Sequence, residues 1–253
     1  MHCINWAMSL LSDCLVLKPP LELKKNGVGL STYPHTLRHP SQNLSFMAFH
    51  QKNYPWPWLI THYYTGNNPD FETEDEHKWL AIELAKFLNE FHTAPLIEGA
   101  PQSRRGMPLK NMDQQTRQEI ARLGDEFDTV KLTQLWQSLC DLPRWQHNPI
   151  WIHGYVLPGN ILIDHQKLSA VIDFSDAGLG DPACDLIVAW ALFNKKSRII
   201  FKEQLQNIDE NTQLRGKGWA LSIAAIMFPY YKNTNPVFAA LARRILSQVM
   251  EAA

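Results

Sequence analysis

The sequence predicts an α+β protein, a smaller strand-bearing part followed by a larger, mainly helical part that carries a short strand insert. Three observations support this. Apolar and aromatic runs bounded by Pro or Gly fall at residues 14–18 and 59–64 and read as strands. From residue 80 onward most of the chain shows apolar stripes at helical spacing. Within that stretch, two short apolar runs at 161–164 and 170–174 flank a polar turn at 165–167.

In chain order, the strand at 14–18 is closed by Pro19-Pro20, which cannot continue a ladder. Residues 24–53, with Gly27, Gly29, Pro34 and Pro40, show no regular period. Tyr54-Pro-Trp-Pro-Trp58 leads into the strand at 59–64, which ends at Gly66. Thr73 with Glu76 three residues later forms a capping box, so a helix should open there. Its buried stripe is Leu80, Leu84, Phe87, Leu88 and Phe91. Pro95, Pro101 and Pro108 mark a loop, followed by helical patterns at 113–123 and 130–139. Pro149 introduces a strand at 150–153. Asp181 and Pro182 suit the N-cap and first turn of a helix reaching about residue 193. Residues 211–231 are mostly helical. Asn235-Pro236 opens a last helix striped with Phe238, Leu241, Ile245 and Val249.

Composition narrows the function classes. With 24 Lys+Arg against 25 Asp+Glu, the net charge is −1, which removes the electrostatic footprint of a nucleic-acid binder. Hydrophobic residues at 45% suffice for a core in a chain of 253 residues. The most apolar window, 221–231, is too short to cross a bilayer and is cut by Pro229. The first 20 residues lack the basic start and uninterrupted apolar run of a signal peptide, so a cytoplasmic protein is expected. Cys3, Cys14, Cys140 and Cys184 are scattered, as free thiols in a reducing compartment would be. His35 and His39 sit four apart between Pro34 and Pro40 and read as loop residues, because no Cys or carboxylate completes a zinc site.

The chemistry concentrates in His153-Gly-Tyr-Val-Leu-Pro-Gly-Asn160 and Val171-Ile-Asp-Phe174. The two strands between them bring Asn160 and Asp173 to neighbouring turns. An amide oxygen and a carboxylate converging there suit Mg²⁺, which takes few protein oxygens and completes its shell with phosphate and water. Taken singly, Asn160 would cap a turn and Asp173 would end a strand.

This stretch resembles the catalytic loop and metal-binding strand of the aminoglycoside phosphotransferases, small-molecule relatives of the protein kinases, whose pattern is roughly H-G-D-x-x-x-x-N, two strands, then I-D-F. The similarity continues through Gly178-Leu-Gly-Asp-Pro-Ala-Cys-Asp-Leu186, Ala189-Trp190 and Arg215-Gly-Lys-Gly-Trp-Ala-Leu221, and upstream through Tyr54-Pro-Trp-Pro-Trp58 and Arg105-Gly-Met-Pro-Leu109. It spans about residues 52–250. The resemblance implies a two-lobed protein-kinase-like fold, with residues 1–66 as a shortened N-lobe and hinge and 67–253 as the helical C-lobe. It implies ATP and Mg²⁺ as cofactors, Asn160 and Asp173 as metal ligands, and a small hydroxylated acceptor, possibly an aminoglycoside. Neither nucleic acid nor membrane is implied as a partner. Lys18 would hold phosphate oxygens, although a surface lysine at a strand end is an equal reading, and Glu22 is a weak candidate for its ion-pair partner. Backbone groups of the strand that holds Tyr63 and Tyr64 would line the adenine pocket. The expected glycine-bearing turn over the phosphates has no counterpart in these residues.

Tyr155 departs from the pattern. It stands two residues after His153, where the resemblance places the Asp that accepts the substrate's hydroxyl proton. A phenol with a reference pKa of ~10 is a donor at neutral pH, and a positioned base is worth ~10²–10⁴-fold. Two readings follow: an ATP-dependent O-phosphotransferase of impaired activity, or a non-catalytic nucleotide- or ligand-binding relative. By the same resemblance His153 is a scaffold residue bonding nearby backbone and Asp185 bonds the catalytic loop; Asp176 and Asp181 follow the metal strand, where Asp176 could face a cationic acceptor and Asp181 reads as a helix N-cap.

Overall fold

In this computed structural model the described residues are 10–11, 14–17, 44–48, 58–61, 63–71 and 77–251. Lys18, Glu22, His35, His39, Thr73 and Glu76 lie outside them.

The N-terminal strands are β1 (Leu10–Leu11), β2 (Cys14–Leu17), β3 (Leu44–Ala48) and β4 (Trp58–Thr61). They form one antiparallel sheet in the order β1-β2-β4-β3. β4 ends at Thr61, so Tyr63 and Tyr64 follow the strand and are not part of it, which corrects the expected span of 59–64.

The helical part begins with α1 (Lys78–His92), whose cap residue His77 makes no side-chain capping bond and instead pairs its ring with the Asp70 carbonyl; the capping box expected at Thr73 and Glu76 lies outside the described residues. Its stripe is buried as the spacing requires, with Leu80, Leu84, Phe87, Leu88 and Phe91 at 0% exposure. α2 (Asp113–Arg122) and α3 (Thr129–Cys140) fall where the pattern places them. α6 (Glu210–Tyr231) is buried along most of its length, including Trp219 to Ala225, because it runs through the centre of the helical part. α7 (Pro236–Glu251) covers it with Leu241, Ile245 and Val249.

Two small β units interrupt these helices. β5 (Ile150–Ile152) pairs with β8 (Gly178–Gly180), a strand the sequence pattern does not signal. β6 (Ile161–Asp164) and β7 (Lys167–Val171) form a hairpin. Its turn is His165-Gln166, both at positive φ (46° and 57°), as a two-residue hairpin turn demands. β7 therefore starts earlier than expected, and it stops before Asp173, whose φ of 65° no strand can hold. After β8, Asp181 caps a 3-10 turn (Pro182–Ile187) by accepting from the Ala183 N–H. The short α4 (Val188–Ala191) follows, where the pattern predicts one helix to 193. α5 (Lys195–Gln204) completes the set.

One buried ion pair locks the 3-10 turn to the central helix. Arg215 of α6 donates to Asp181 at 2.7 Å, to the Pro143 carbonyl at 2.8 Å and to the Thr212 hydroxyl at 2.9 Å. Both charges are almost fully buried, and these extra bonds offset the desolvation that such a pair incurs.

Candidate active site

The loop from His153 to Asn160 leaves β5 over a buried carboxylate. Asp185 accepts from the backbone N–H of His153 (3.0 Å), the N–H of Gly154 (2.7 Å) and the ring Nε2 of His92 (2.9 Å). Burial pushes the Asp185 carboxyl upward, but the bonds and charges of His92 and His153 outweigh it and hold the group below the ordinary carboxylate range. The loop can turn over this anchor because Gly154 takes φ +84°, and a Cβ there would stand 2.8 Å from the Asp176 carbonyl oxygen.

His153 is fully buried. Its Nε2 pairs with the Ile172 carbonyl at 3.1 Å, and its Nδ1 accepts from the Tyr155 N–H at 3.2 Å. Burial depresses its pKa against the pull of Asp185 and Asp173. With both ring nitrogens engaged, the imidazole ties the loop to the segment after β7.

That segment turns sharply at Asp173. Phe174 is buried against the rings of Phe91 (5.7 Å, edge-on) and His153 (4.5 Å). With Phe174 drawn into the core, the left-handed backbone at Asp173 sets its carboxylate on the loop side. Asn160 lies alongside, because the Ile172 N–H donates to its carbonyl at 2.9 Å and its side-chain amide donates to the Tyr155 carbonyl at 2.9 Å. This bond uses the amide nitrogen, so the amide oxygen is the atom of Asn160 that suits a cation. Asp173 accepts from the Ser175 hydroxyl at 2.7 Å. An amide oxygen beside a carboxylate is a hard-oxygen donor set that suits Mg²⁺ with further ligands from water and phosphate. Among the described residues no group of three or more His, Cys, Asp or Glu gathers to form an all-protein metal cage.

Tyr155 is half-buried under Arg105, whose guanidinium carbon sits 4.3 Å from the ring centroid. Burial raises the phenol's pKa, and Arg105 only partly opposes this. Arg105 also donates to the Asp176 carboxylate at 3.0 Å, and the Ser103 hydroxyl donates to the Asp176 carbonyl at 2.8 Å. Residues 101–106 are brought here by pairing along β8, with Ser103 N–H to Leu179 O and Leu179 N–H to Pro101 O. Gly106 and Gly180 pack so closely that a Cβ on either would stand within 2.5 Å of the other's Cα. The Arg105-Gly-Met-Pro-Leu109 block is thereby explained. Gly106 permits the contact that delivers Arg105 to Tyr155.

A second tie comes from the segment after the sheet. Asn67 and Ile163 exchange backbone hydrogen bonds at 2.9 and 2.8 Å. The Asn68 side-chain amide points at the carbonyls of Pro158, Gly159 and Ile161, at 3.2, 3.0 and 2.9 Å. Neither asparagine carries a sequence signal beyond its place just past Gly66. Tyr63 is exposed and Tyr64 half-buried ahead of this tie. The sequence therefore marked Asn160, Asp173, His153 and Tyr155, which the structure brings into one loop cluster. It gave no role to Arg105, His92 or Asn68.

Comparison with known proteins places this geometry in a family. Residues 45–219 match the model of the phosphotransferase enzyme family, abbreviated APH, and the chain belongs to it. Among solved structures, the GDP complex of aminoglycoside 2'-phosphotransferase-IIIa superimposes with a TM-score of 0.63 at 17% identity, over 86% of this chain and 78% of that one. The ADP-bound aminoglycoside phosphotransferase APH(2'')-Ib gives 0.54 at 17%, over 95% and 90%. A macrolide 2'-phosphotransferase from Brachybacterium faecium gives 0.53 at 16%, over 85% and 77%. These likenesses show the kinase-like α+β fold. No curated protein matches the chain.

Proposed function

We propose that this chain transfers the γ-phosphoryl group of ATP to a hydroxyl of a small molecule, with an aminoglycoside or macrolide as the acceptor class. The juxtaposition of Asn160 and Asp173 at the foot of the β6–β7 hairpin, beside a loop held rigid by Asp185, carries this reading. Phosphoryl transfer depends mainly on positioning and charge neutralisation, which such a pair supplies through a bound Mg²⁺. The resident ion would neutralise the phosphate charge, while Asn160 and Asp173 fix where it sits. Residues 1–66 would form the nucleotide-covering lobe and hinge, with Lys18 on phosphate and backbone near Tyr63 and Tyr64 on the base, and residues 67–253 the lobe that carries the chemistry. The solved relatives bound to GDP, to ADP, and to ATP with streptomycin support a nucleotide site, and those bound to kanamycin and gentamicin support the acceptor class.

Tyr155 favours one other reading, a relative that binds nucleotide without transferring phosphate, since a half-buried neutral phenol is no proton acceptor at neutral pH. Two measurements test both. Calorimetric titration with ATP should give affinity that depends on Mg²⁺ and falls when Asp173 is replaced by Ala; equal affinity in all four combinations would sink the metal-nucleotide assignment. Transfer of labelled phosphate from ATP to kanamycin, gentamicin or streptomycin then separates the enzyme from the binding protein.

A further inference from the structure

If position 155 is a phenol, phosphoryl transfer needs another group to receive the acceptor's proton, and the cluster contains few carboxylates. Asp185 is fully buried and engaged with two backbone N–H groups and His92. Asp181 is buried against Arg215. Asp173 accepts from the Ser175 hydroxyl and belongs with Asn160 to the metal pair proposed above, and His153 uses both ring nitrogens internally. Asp176 differs from all of these. Its side chain is 36% exposed, and one of its oxygens takes the Arg105 bond.

Its placement is specific. Asp173 precedes the single 3-10 turn of residues Phe174–Asp176, and Asp176 ends it. The two carboxylates therefore bracket one short turn, three residues apart in the chain. Asp176 also packs on the catalytic loop itself, since a Cβ on Gly154 would stand 3.1 Å from the Asp176 Cβ. Arg105 is the cation paired with Asp176 and stacked on Tyr155, and the Asp173 carboxylate also acts on the phenol. Ser103 holds the Asp176 backbone from the other side.

The geometry points to Asp176 as the proton acceptor of this chain, fixed in place by Arg105, with Tyr155 serving as the aromatic platform on which the guanidinium rests. This rests on the phosphotransfer reading above. In the step, the acceptor's hydroxyl oxygen attacks the γ-phosphorus of ATP and an O–P bond forms. The bond from the γ-phosphorus to the β,γ-bridging oxygen breaks, ADP leaves, and the hydroxyl proton passes to the second carboxylate oxygen of Asp176 and from there to water. Arg105 is a positioning residue. It bonds the Asp176 carboxylate while stacking on Tyr155, and the Asp176 backbone and Cβ pack on Gly154, so the base sits beside position 155 without occupying it.

The test is phosphoryl transfer from Mg²⁺-ATP to kanamycin, gentamicin, streptomycin and a macrolide, with water as a further acceptor, read alongside calorimetric ATP binding. Asp176→Asn keeps the size and an acceptor for Arg105 but loses the charge. We expect kcat to fall about 10²-fold or more, the scale of a positioned base, with ATP affinity and the KM for ATP unchanged. Asp176→Ala leaves the Ser103 bond to the backbone intact, and added formate should restore part of its turnover, which a purely structural residue would not allow. Asp176→Asn turnover indistinguishable from wild type, or an Asp176→Ala protein that binds ATP yet is not rescued by formate, overturns the assignment. So does a wild type that binds Mg²⁺-ATP and transfers phosphate to none of these acceptors. That last outcome leaves the nucleotide site standing, whereas absence of Mg²⁺-dependent binding brings down the phosphotransfer reading first.

Discussion

At the scale of single residues, the loop from His153 to Asn160 depends on Asp185 more than on any group at its surface. One carboxylate satisfies two loop N–H groups and a histidine in a fully buried place, and breaking such a set leaves donors without partners. Asp185→Asn replaces one acceptor oxygen with a donor that faces these N–H groups. The expected cost is about 3 kcal/mol or more, read as a lower midpoint in urea denaturation, with a matching loss of ATP affinity as the loop loosens. The pH dependence has a definite sign. The folded carboxyl titrates below its unfolded value of ~3.9. Its contribution is therefore fully present above about pH 4 and is lost as pH falls through the folded value. The stability gap between wild type and Asp185→Asn should accordingly narrow in acid; a gap independent of pH would show that the carboxylate's charge contributes nothing. In the sequence this role could be read from a single Asp among apolar residues, because a charge in such a setting must be partnered. His92 was not legible, since a histidine ending an amphipathic helix carries no signal until α1 is docked.

At the scale of elements, periodicity placed most helices and missed those whose burial comes from context. α5 has Ile199, Ile200 and Phe201 in succession among polar residues, a pattern without helical period, and it packs chiefly on α1. β8 is Gly-Leu-Gly, with no strand propensity at all, and exists because the close approach of residues 101–106 needs glycine. The glycines of α6 follow the same logic. A Cβ at Gly216 would stand 2.7 Å from the Leu186 Cβ and 2.9 Å from the Ala183 carbonyl oxygen, in the 3-10 turn that carries Asp185. In an exposed helix Gly→Ala would gain about 1 kcal/mol. Here the neighbours are backbone and a Cβ, which cannot swing aside. Gly216→Ala should therefore destabilise the protein by about 1–3 kcal/mol, the range for overpacking. A thermal melt at or above the wild-type midpoint would show that α6 has room to shift. The Arg215-Gly-Lys-Gly block thus owes one of its glycines to the packing that supports the catalytic loop.

At the scale of the whole molecule, the loop from His153 to Asn160 and the hairpin that follows it are held from two directions: the loop from the core by Asp185, and the loop end and hairpin from the segment that leaves the sheet by Asn67 and Asn68. Resemblance to the phosphotransferases made the overall architecture legible, because ordered motif blocks mark the loop, the hairpin and the turn. The second fastening was not legible, as it consists of one exposed amide directed at three carbonyls. Those carbonyls belong to the residues just before and after Asn160, so Asn68 fixes the backbone on which the proposed metal ligand stands. Asn68→Ala removes the donor without filling or opening a buried space, because the side chain is exposed. Global stability should fall by no more than about 1 kcal/mol, the worth of an ordinary hydrogen bond. The local effect should be larger in kind. Amide exchange at residues 159–161 should speed up while exchange in α6 stays as it was, since the core is untouched. Mg²⁺-dependent ATP affinity should weaken up to about tenfold, because about 1.4 kcal/mol of lost positioning corresponds to that factor. Unchanged exchange at 159–161 would mean that the β6–β7 ladder and Asp185 hold the loop unaided. Faster exchange with undiminished ATP affinity would instead detach the position of Asn160 from nucleotide binding.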